Sequence, residues 1–538
     1  MAFRQRPCRA LIWEQMNYPV WDVAFGAGLL IALVSILHVF VSHFAVGGGL
    51  FLVLTERRAL RQCDSGVLTW LRTHTKFFVL VTVVFGAISG VGIWFTIGLI
   101  HPSATSSLIH AYVWGWAIEW VFFFLEIAAA LFYLYGWDKL EPRLHLWYGW
   151  IYFIAAFASM VIINGIITFM LTPGKWVETH AFWTGFFNPT YFPSLAVRTA
   201  IALALAGIYA LVTASRLKDP PLKARMVKWS AAWIVPSMAV LPALIWWYIR
   251  SIPSELWDSA KGAMPTASHY AVRAAVLAAV TFLLVLGTLI RPVRLHLAYS
   301  LTIMLAALGT MGSFEFVREA VRKPFVIANY MYDNSLYATA SAADGGFSVE
   351  AIDKAGVLNT ARWVRHCAGI AAGREIFRVE CQSCHTVDAY RGVRRLLVAR
   401  QWDTTQLNAM LGSLDMMHNS VMPPFAGTDA ERDALTAYLA TLYQAQTPPS
   451  DGQHLFEQNC AVCHQSGPTD PAITTIRSLD PEAASETLKN LPALFARMPD
   501  LKLTDQQRTA LVQWIKTQFA ASGPPSQHAA LMRPNGGN

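Results

Sequence analysis

Charge is what this sequence has least of. Asp, Glu, Lys and Arg supply only 14% of its 538 residues, where a soluble protein carries about a quarter. Hydrophobic residues supply 54% and Trp occurs 20 times, so a water-soluble globule is excluded. The net charge of +8 would suit nucleic acid, but the basic residues are placed in turns between apolar runs. That is a pattern of membrane topology, and no nucleic-acid partner is expected. Cysteine is also scarce, and four of the seven fall in one short repeated motif.

Eight apolar runs, at about 22–54, 77–100, 111–136, 146–171, 191–214, 229–249, 269–290 and 293–317, meet or exceed the roughly 20 residues that span a bilayer. The first lacks the short apolar core and small-residue cleavage site of a signal peptide, so it is expected to remain as a span. The turn after the first run holds Arg57, Arg58, Arg61, Arg72 and Lys76, and the turn after the fifth holds Arg216, Lys218, Lys223, Arg225 and Lys228. The turns after the second and fourth hold none and one (Lys175). Basic turns stay in the cytoplasm, so an even count of spans puts both termini outside, against the three arginines of the short N-terminal tail. From about residue 325 the charge density becomes ordinary, and DNSLYATASAADGGFSVEAIDKAGVLNT (333–360) reads as small and polar. The expectation is an all-α protein: a tail (1–21), a membrane bundle (22–325), a linker (326–366), two small helical domains (367–446 and 447–520) and a disordered tail (521–538).

The soluble region repeats itself. GREIFRVECQSCHTVD begins at Gly373 and GQHLFEQNCAVCHQSG at Gly452; each places Gly, then an apolar–Phe pair, then CxxCH. In CxxCH the thiols form thioethers to haem and the adjacent His ligates iron. Cys381, Cys384 and His385 make one candidate site for a covalent c-type haem; Cys460, Cys463 and His464 make the other. A redox dithiol would account for one such motif, not for two in matching flanks. Distal ligands are offered by Met422 in HNSVMPPFAGTDAERDALTAYLATL and Met498 in LFARMPDLKLTDQQRTALVQWIKTQ. Both stretches resemble the methionine loop and closing helix of small class I cytochromes c. The alternative is a core-filling role, and His418, Met416 and Met417 stand near the first as rivals. Such haems are attached on the outer side of the bacterial inner membrane, in agreement with the topology. Cys63 falls in a cytoplasmic turn; Cys8 and Cys367 both fall outside, which leaves a bridge between them open.

The membrane half keeps polar groups where they are costly. FGAGLLIALVSILHVFVSHFAVGGGLFLVL (25–54) has no full charge, yet His38 and His43 sit near its middle. Ionisable groups in hydrocarbon mark functional sites, unless each merely hydrogen-bonds a neighbouring helix. AIEWVFFFLEIAAALFYLYGWDKL sets Glu119 and Glu126 seven apart on one helix face. MVIINGIITFMLTPG puts Asn164 in the fourth span, and GSFEFVREAVRKPFVIANY ends the eighth with Glu315, Arg318, Glu319, Arg322 and Lys323. The plain alternative for that last cluster is a solvated helix end.

Together, over roughly residues 20–330, these stretches resemble subunit I of the cytochrome bd oxidase family: His38 followed at +9 by Gly47 and at +18 by Glu56, then FFLE…LF…GWDKL, NG at 164–165, and FEFVREAVRKPF. The resemblance implies that His38 and Glu319 ligate two closely spaced high-spin haems, of b and/or d type, at an oxygen-reducing site. It makes Glu119 and Glu126 candidates for the proton route and for tuning the pocket. Arg322, with Arg318 or Lys323, would neutralise haem propionates; His43, on another face, is second in rank. A second membrane subunit resembling the family's subunit II is implied as a partner, with lipid.

The departures from the family matter as much. Its low-spin haem histidine falls on Arg198 and the methionine partner on Ala275, so that b haem is expected to be missing. The long quinol loop is reduced to RSIPSELWDSAKGAMPTAS, and the ninth helix gives way to the two c modules. Glu119 is one residue out of register, and Glu315 stands at a tryptophan position. The expected function is a terminal oxidase reducing O2 to water, its electrons arriving from a soluble cytochrome c or another external redox protein. Alternatives keep the architecture but reduce a nitrogen oxide or peroxide, or make the chain a non-catalytic membrane-anchored dihaem conduit.

Overall fold

The computed structural model describes residues 21–254, 256–257, 265–338, 349–360, 364, 367–416, 421–443, 451–461, 464, 470–494, 498, 501 and 503–518. Cys8, Met417, His418, Cys463 and the C-terminal tail expected to be disordered lie outside the described residues. Cys367 is disulfide-bonded.

Among the described residues, eight helices are long and apolar enough to cross a membrane. They are α1 (Ala27–Arg61), α2 (Ser65–Ile100), α3 (Val113–Gly136), α4 (Pro142–Leu171), α5 (Tyr191–Ala214), α6 (Pro220–Arg250), α7 (Pro265–Ile290) and α8 (Leu297–Arg322). Turn chemistry sets their starts. Asp64 accepts the Val67 amide at 3.1 Å and Asp219 the Leu222 amide at 3.2 Å, each satisfying a donor that the first helical turn leaves orphaned. Pro142 and Pro220 occupy first positions, where a missing N–H costs nothing. Short turns then make sequential helices neighbours.

α1 and α5 form the centre. A Cβ on Gly47 would lie 1.9 Å from the Ala202 carbonyl oxygen, so the two backbones touch as small residues allow in membranes. Phe44 stacks on Tyr209 across the same seam, centroids 3.8 Å apart. After α8 a short antiparallel hairpin, β1 (Phe325–Ile327) and β2 (Met331–Tyr332), folds back over the bundle, and the Ala328 amide donates to the Met170 carbonyl at the end of α4 at 3.0 Å.

The repeat in the soluble half has a packing cause. The first small domain closes α9 (Ile370–Glu380) against α10 (Asp429–Ala440), and the second closes α11 (Gly452–Asn459) against α12 (Asp505–Gln518). A Cβ on Gly373 would sit 1.9 Å from the Ala434 carbonyl oxygen, and one on Gly452 2.2 Å from that of Ala510. Each repeated glycine is thus the crossing point of two helices. Within the stretch expected as linker, Val349–Ala355 and Val357–Thr360 are helical. Leu336, Ile352 and Val357 join Ile376, Phe377 and Leu435 in the core of the first small domain; these scattered apolar residues were hidden in a polar segment.

Gly373→Ala is expected to cost the first domain about 1–3 kcal/mol, the range for overpacking, because backbone rather than a movable side chain opposes the methyl. A thermal melt followed at the c-haem band checks this; an unchanged melting temperature would refute the close crossing.

Candidate functional site

Each CxxCH begins where a helix ends. Cys381 follows α9, its amide bonding the Phe377 carbonyl at 2.9 Å, and the His385 amide bonds the Cys381 carbonyl at 2.8 Å. His385 Nδ1 donates to the Arg391 carbonyl at 3.1 Å, which fixes the tautomer and leaves Nε2 to ligate. Burial lowers the His385 pKa, favouring the neutral imidazole that binds metal. The second module repeats the device with a carboxylate: His464 Nδ1 lies 3.1 Å from Asp470 Oδ1, and its Nε2 is buried without a partner. Met422 packs on the core that also carries Cys381, and Met498 on the core that carries Cys460.

In the membrane half, His38 Nδ1 lies 3.1 Å from Ser89 Oγ, which itself donates to the Phe85 carbonyl at 2.8 Å. A π-helical segment, Leu80–Phe85, precedes Ser89; such bulges re-aim side chains and gather at functional sites. His43 faces elsewhere: its Nδ1 donates to the Val39 carbonyl at 2.7 Å, and its Nε2 is buried and unpartnered. Glu119 accepts from Ser159 Oγ, and Glu126 from the Tyr152 hydroxyl, each at 2.9 Å. Neither Ser159 nor Tyr152 was anticipated. Their own spacing of seven, on the helix antiparallel to that of Glu119 and Glu126, was the available signal.

The charged end of α8 is an organised site. Arg322 Nη2 clamps both oxygens of Glu319 at 2.7 and 2.6 Å, and Lys323 Nζ stands 3.3 Å from Glu319 Oε1. His101, also missed from sequence, lies close enough to feel all three charges. Lys323 also pairs with Asp333, whose Oδ2 is 3.6 Å from Cys384 Sγ; Lys323 Nζ is 4.0 Å from the same sulfur. Asn334 donates to Glu380 Oε2 at 3.0 Å, and Gln382 donates to Asp22; burial pushes the Glu380 carboxyl well above the usual range. The first CxxCH therefore sits directly on the end of the eighth span.

Two departures from the expected pattern meet one another. Glu315 bonds Arg318 at 2.8 Å, and Arg198, which donates to Ser194 Oγ at 3.3 Å, lies within electrostatic reach of both. Ala275 is on an exposed face of α7. The structure does not bring His38 to Glu319: His38 packs on Gly90, eleven residues and about 16 Å along α2 from His101.

These residues fit haem. Four imidazoles, those of His38, His43, His385 and His464, have one nitrogen fixed by an oxygen, and in His43 and His464 the other nitrogen is buried without a partner. Glu319 keeps 42% of its side-chain surface accessible, so one side of the carboxylate is left uncovered by protein. Arg322 Nε is buried and unpartnered beside it, as a propionate partner requires.

Residues 27–249 match the family described as cytochrome bd terminal oxidase subunit I. Over these residues the membrane half is a cytochrome bd subunit I domain. Residues 368–439 and 447–515 match cytochrome c oxidase, cbb3-type, subunit III, so the bd domain is followed by two cytochrome c domains. The chain is similar in fold to a structure of the bd oxidase from Geobacillus thermodenitrificans, with a TM-score of 0.50 and 15% identity, over 59% of this chain and 93% of that one. No curated protein matches the chain. A bd domain joined to c domains is the make-up of a haem oxidoreductase integral to the inner membrane, with covalent haem c outside the bilayer part and haem within it. The bd match stops at residue 249, so Arg318, Glu319 and Arg322 rest on the geometry of α8 and on the sequence resemblance.

Proposed function

We propose that the chain is a terminal oxidase that reduces O2 to water with electrons taken from an external donor such as a soluble cytochrome c. The observation that carries this reading is the junction: Cys384 Sγ is within 4.0 Å of Lys323 Nζ, and Lys323 is within 3.3 Å of Glu319. A covalent c haem held there would abut the charged end of the bd domain. When bound, the c haems supply electron transfer from outside, and the membrane haems supply oxygen binding and reduction.

The chain's own residues divide the remaining work. His38 and Glu319 are the proposed iron ligands in the bd domain, and His385 with Met422 and His464 with Met498 those in the c domains. Arg322 and Lys323 hold Glu319 ionised and in place, with Arg318 held by Glu315. Glu119 and Glu126, anchored by Ser159 and Tyr152, hold protons inside the bundle. The Arg198–Glu315–Arg318 cluster supports the absence of the family's low-spin haem, because a guanidinium stands at its ligand position. The loop asymmetry supports c domains on the outer face. A second membrane subunit like subunit II remains part of the proposal.

The decisive experiment is oxygen uptake by the purified protein with reduced cytochrome c. Uptake that stops with cyanide is expected; none, with only six-coordinate haem spectra and no carbon monoxide binding, would leave a non-catalytic conduit. Met498→Ala should lower the potential of the second c haem by on the order of 100 mV, a fraction of the roughly 0.8 V that axial ligands command. A redox titration checks it, with Met498→Leu as the packing control: if Leu keeps the potential, Met498 is a core residue.

A further inference from the structure

The opposite end of the bundle, beside the basic turns, holds a buried polar group that the haem sites do not use. Glu56 on α1, Tyr133 on α3 and His145 on α4 meet there, exposed by 2%, 2% and 3%. The Tyr133 hydroxyl donates to Glu56 Oε2 at 2.6 Å, His145 Nδ1 lies 2.8 Å from Glu56 Oε1, and His145 Nε2 lies 2.8 Å from the Tyr133 carbonyl oxygen. A backbone carbonyl only accepts, so Nε2 carries a proton. Between Nδ1 and Oε1 there is then room for one proton and no more. The pair is imidazolium with carboxylate, or imidazole with carboxylic acid, and a single proton shift interconverts them.

Its position gives that proton somewhere to come from and somewhere to go. His145 is the first buried residue after the exposed stretch 141–144, and Glu56 directly precedes the exposed Arg57 and Arg58. In the other direction, Tyr133, Glu126 and Glu119 follow one another at intervals of seven along one face of α3, about 10 Å a step. Tyr133 and Tyr152 both line one small apolar cavity of ≈ 10 Å³, and the Tyr152 hydroxyl meets Glu126. Two glycines leave room for the rings: a Cβ on Gly49 would lie 2.5 Å from Tyr152 Cε1, and one on Gly149 3.0 Å from Tyr133 Cε2.

We propose that the Glu56–His145 pair is a proton-holding station that reloads Glu126 from the side of the basic turns. This rests on the oxidase reading given above. In each cycle the shared proton leaves for the Glu126 carboxylate, leaving neutral imidazole and ionised Glu56, and a proton from the aqueous side restores the pair. No electron moves in either step, and His145 keeps its Nε2 proton throughout. Glu56 and His145 act only through Glu126 and are positioning residues for its proton.

The test is Glu56→Gln in the full-length, haem-loaded protein. Gln still accepts from Tyr133 and turns its amide toward Nδ1, so the packing survives while the shared proton is lost. Haem spectra and dithionite reduction should match wild type, and oxygen uptake should fall on the order of 100-fold, the range of a lost acid–base group. Glu56→Asp should restore part of it. Redox-triggered infrared difference spectra should lose a deuterium-sensitive band in Glu56→Gln that wild type shows. Wild-type uptake and an unchanged band in Glu56→Gln would overturn the station, as would loss of uptake together with haem. If wild type itself takes up no oxygen, the oxidase reading fails, whereas the infrared comparison still decides whether the pair exchanges a proton on reduction.

Discussion

Glu319→Gln should remove one high-spin haem signal from the reduced spectrum and leave both c-haem bands unchanged. The carboxylate is held by Arg322 and Lys323 at 2.6–3.3 Å and keeps part of its surface uncovered, so an anionic group is fixed in place there. An amide keeps the size of the side chain but cannot supply an anionic ligand. It also leaves Arg322 without its counter-charge, while Lys323 keeps Asp333, and breaking a buried pair by removing one partner costs about 3–5 kcal/mol. Intact c-haem bands and normal membrane insertion therefore serve as the folding control. His38→Ala should remove the other high-spin signal, since Ser89 orients the ring and no second imidazole sits on that face of α1. A solvated helix end predicts the reverse: wild-type spectra for Glu319→Gln. Wild-type spectra in both variants, with His43→Ala losing a haem instead, would move the ligand to the imidazole whose Nε2 is buried and unpartnered.

The eight spans, the two CxxCH modules and the charged end of α8 were legible because each is a local pattern: an apolar run, a fixed spacing, a charge cluster. What stayed hidden is pairing across helices. The matching spacing of seven hinted at Tyr152 and Ser159 but could not pair them with Glu126 and Glu119, and Glu56, read only as one position of the first-helix pattern, gains partners when His145 and Tyr133 close on it from two other helices. The glycine of the c-module repeat was visible as a repeat, but its cause, a backbone crossing at Ala434 or Ala510, needed coordinates. Arg198 and Glu315 read as separate departures from a family pattern, and only their approach in space shows that one charge answers the other. The segment 333–360 was misleading for the opposite reason: small polar residues dominate its composition, while Leu336, Ile352 and Val357 do the packing.

The double variant Cys381→Ala, Cys384→Ala should abolish oxygen uptake driven by reduced cytochrome c, down to the rate measured without protein, while the membrane haem bands persist. The reasoning is spatial. Among the described residues it is the first c module that bonds to the bd domain, through Lys323, Asp333, Asn334 and Asp22, so electrons from the second are expected to pass through it. The corresponding variant Cys460→Ala, Cys463→Ala removes the outer module's haem and should slow uptake without ending it, because a donor can still reach the first. If the two double variants lose activity in the opposite order, the second module is the one that feeds the bd domain, and the contact between Cys384 and the end of α8 is a structural seam. Because neither variant touches His38, Glu319 or the Glu56–His145 pair, carbon monoxide binding by the dithionite-reduced membrane haems should survive in both. Its loss would mean that the c modules hold the bd domain together rather than feed it.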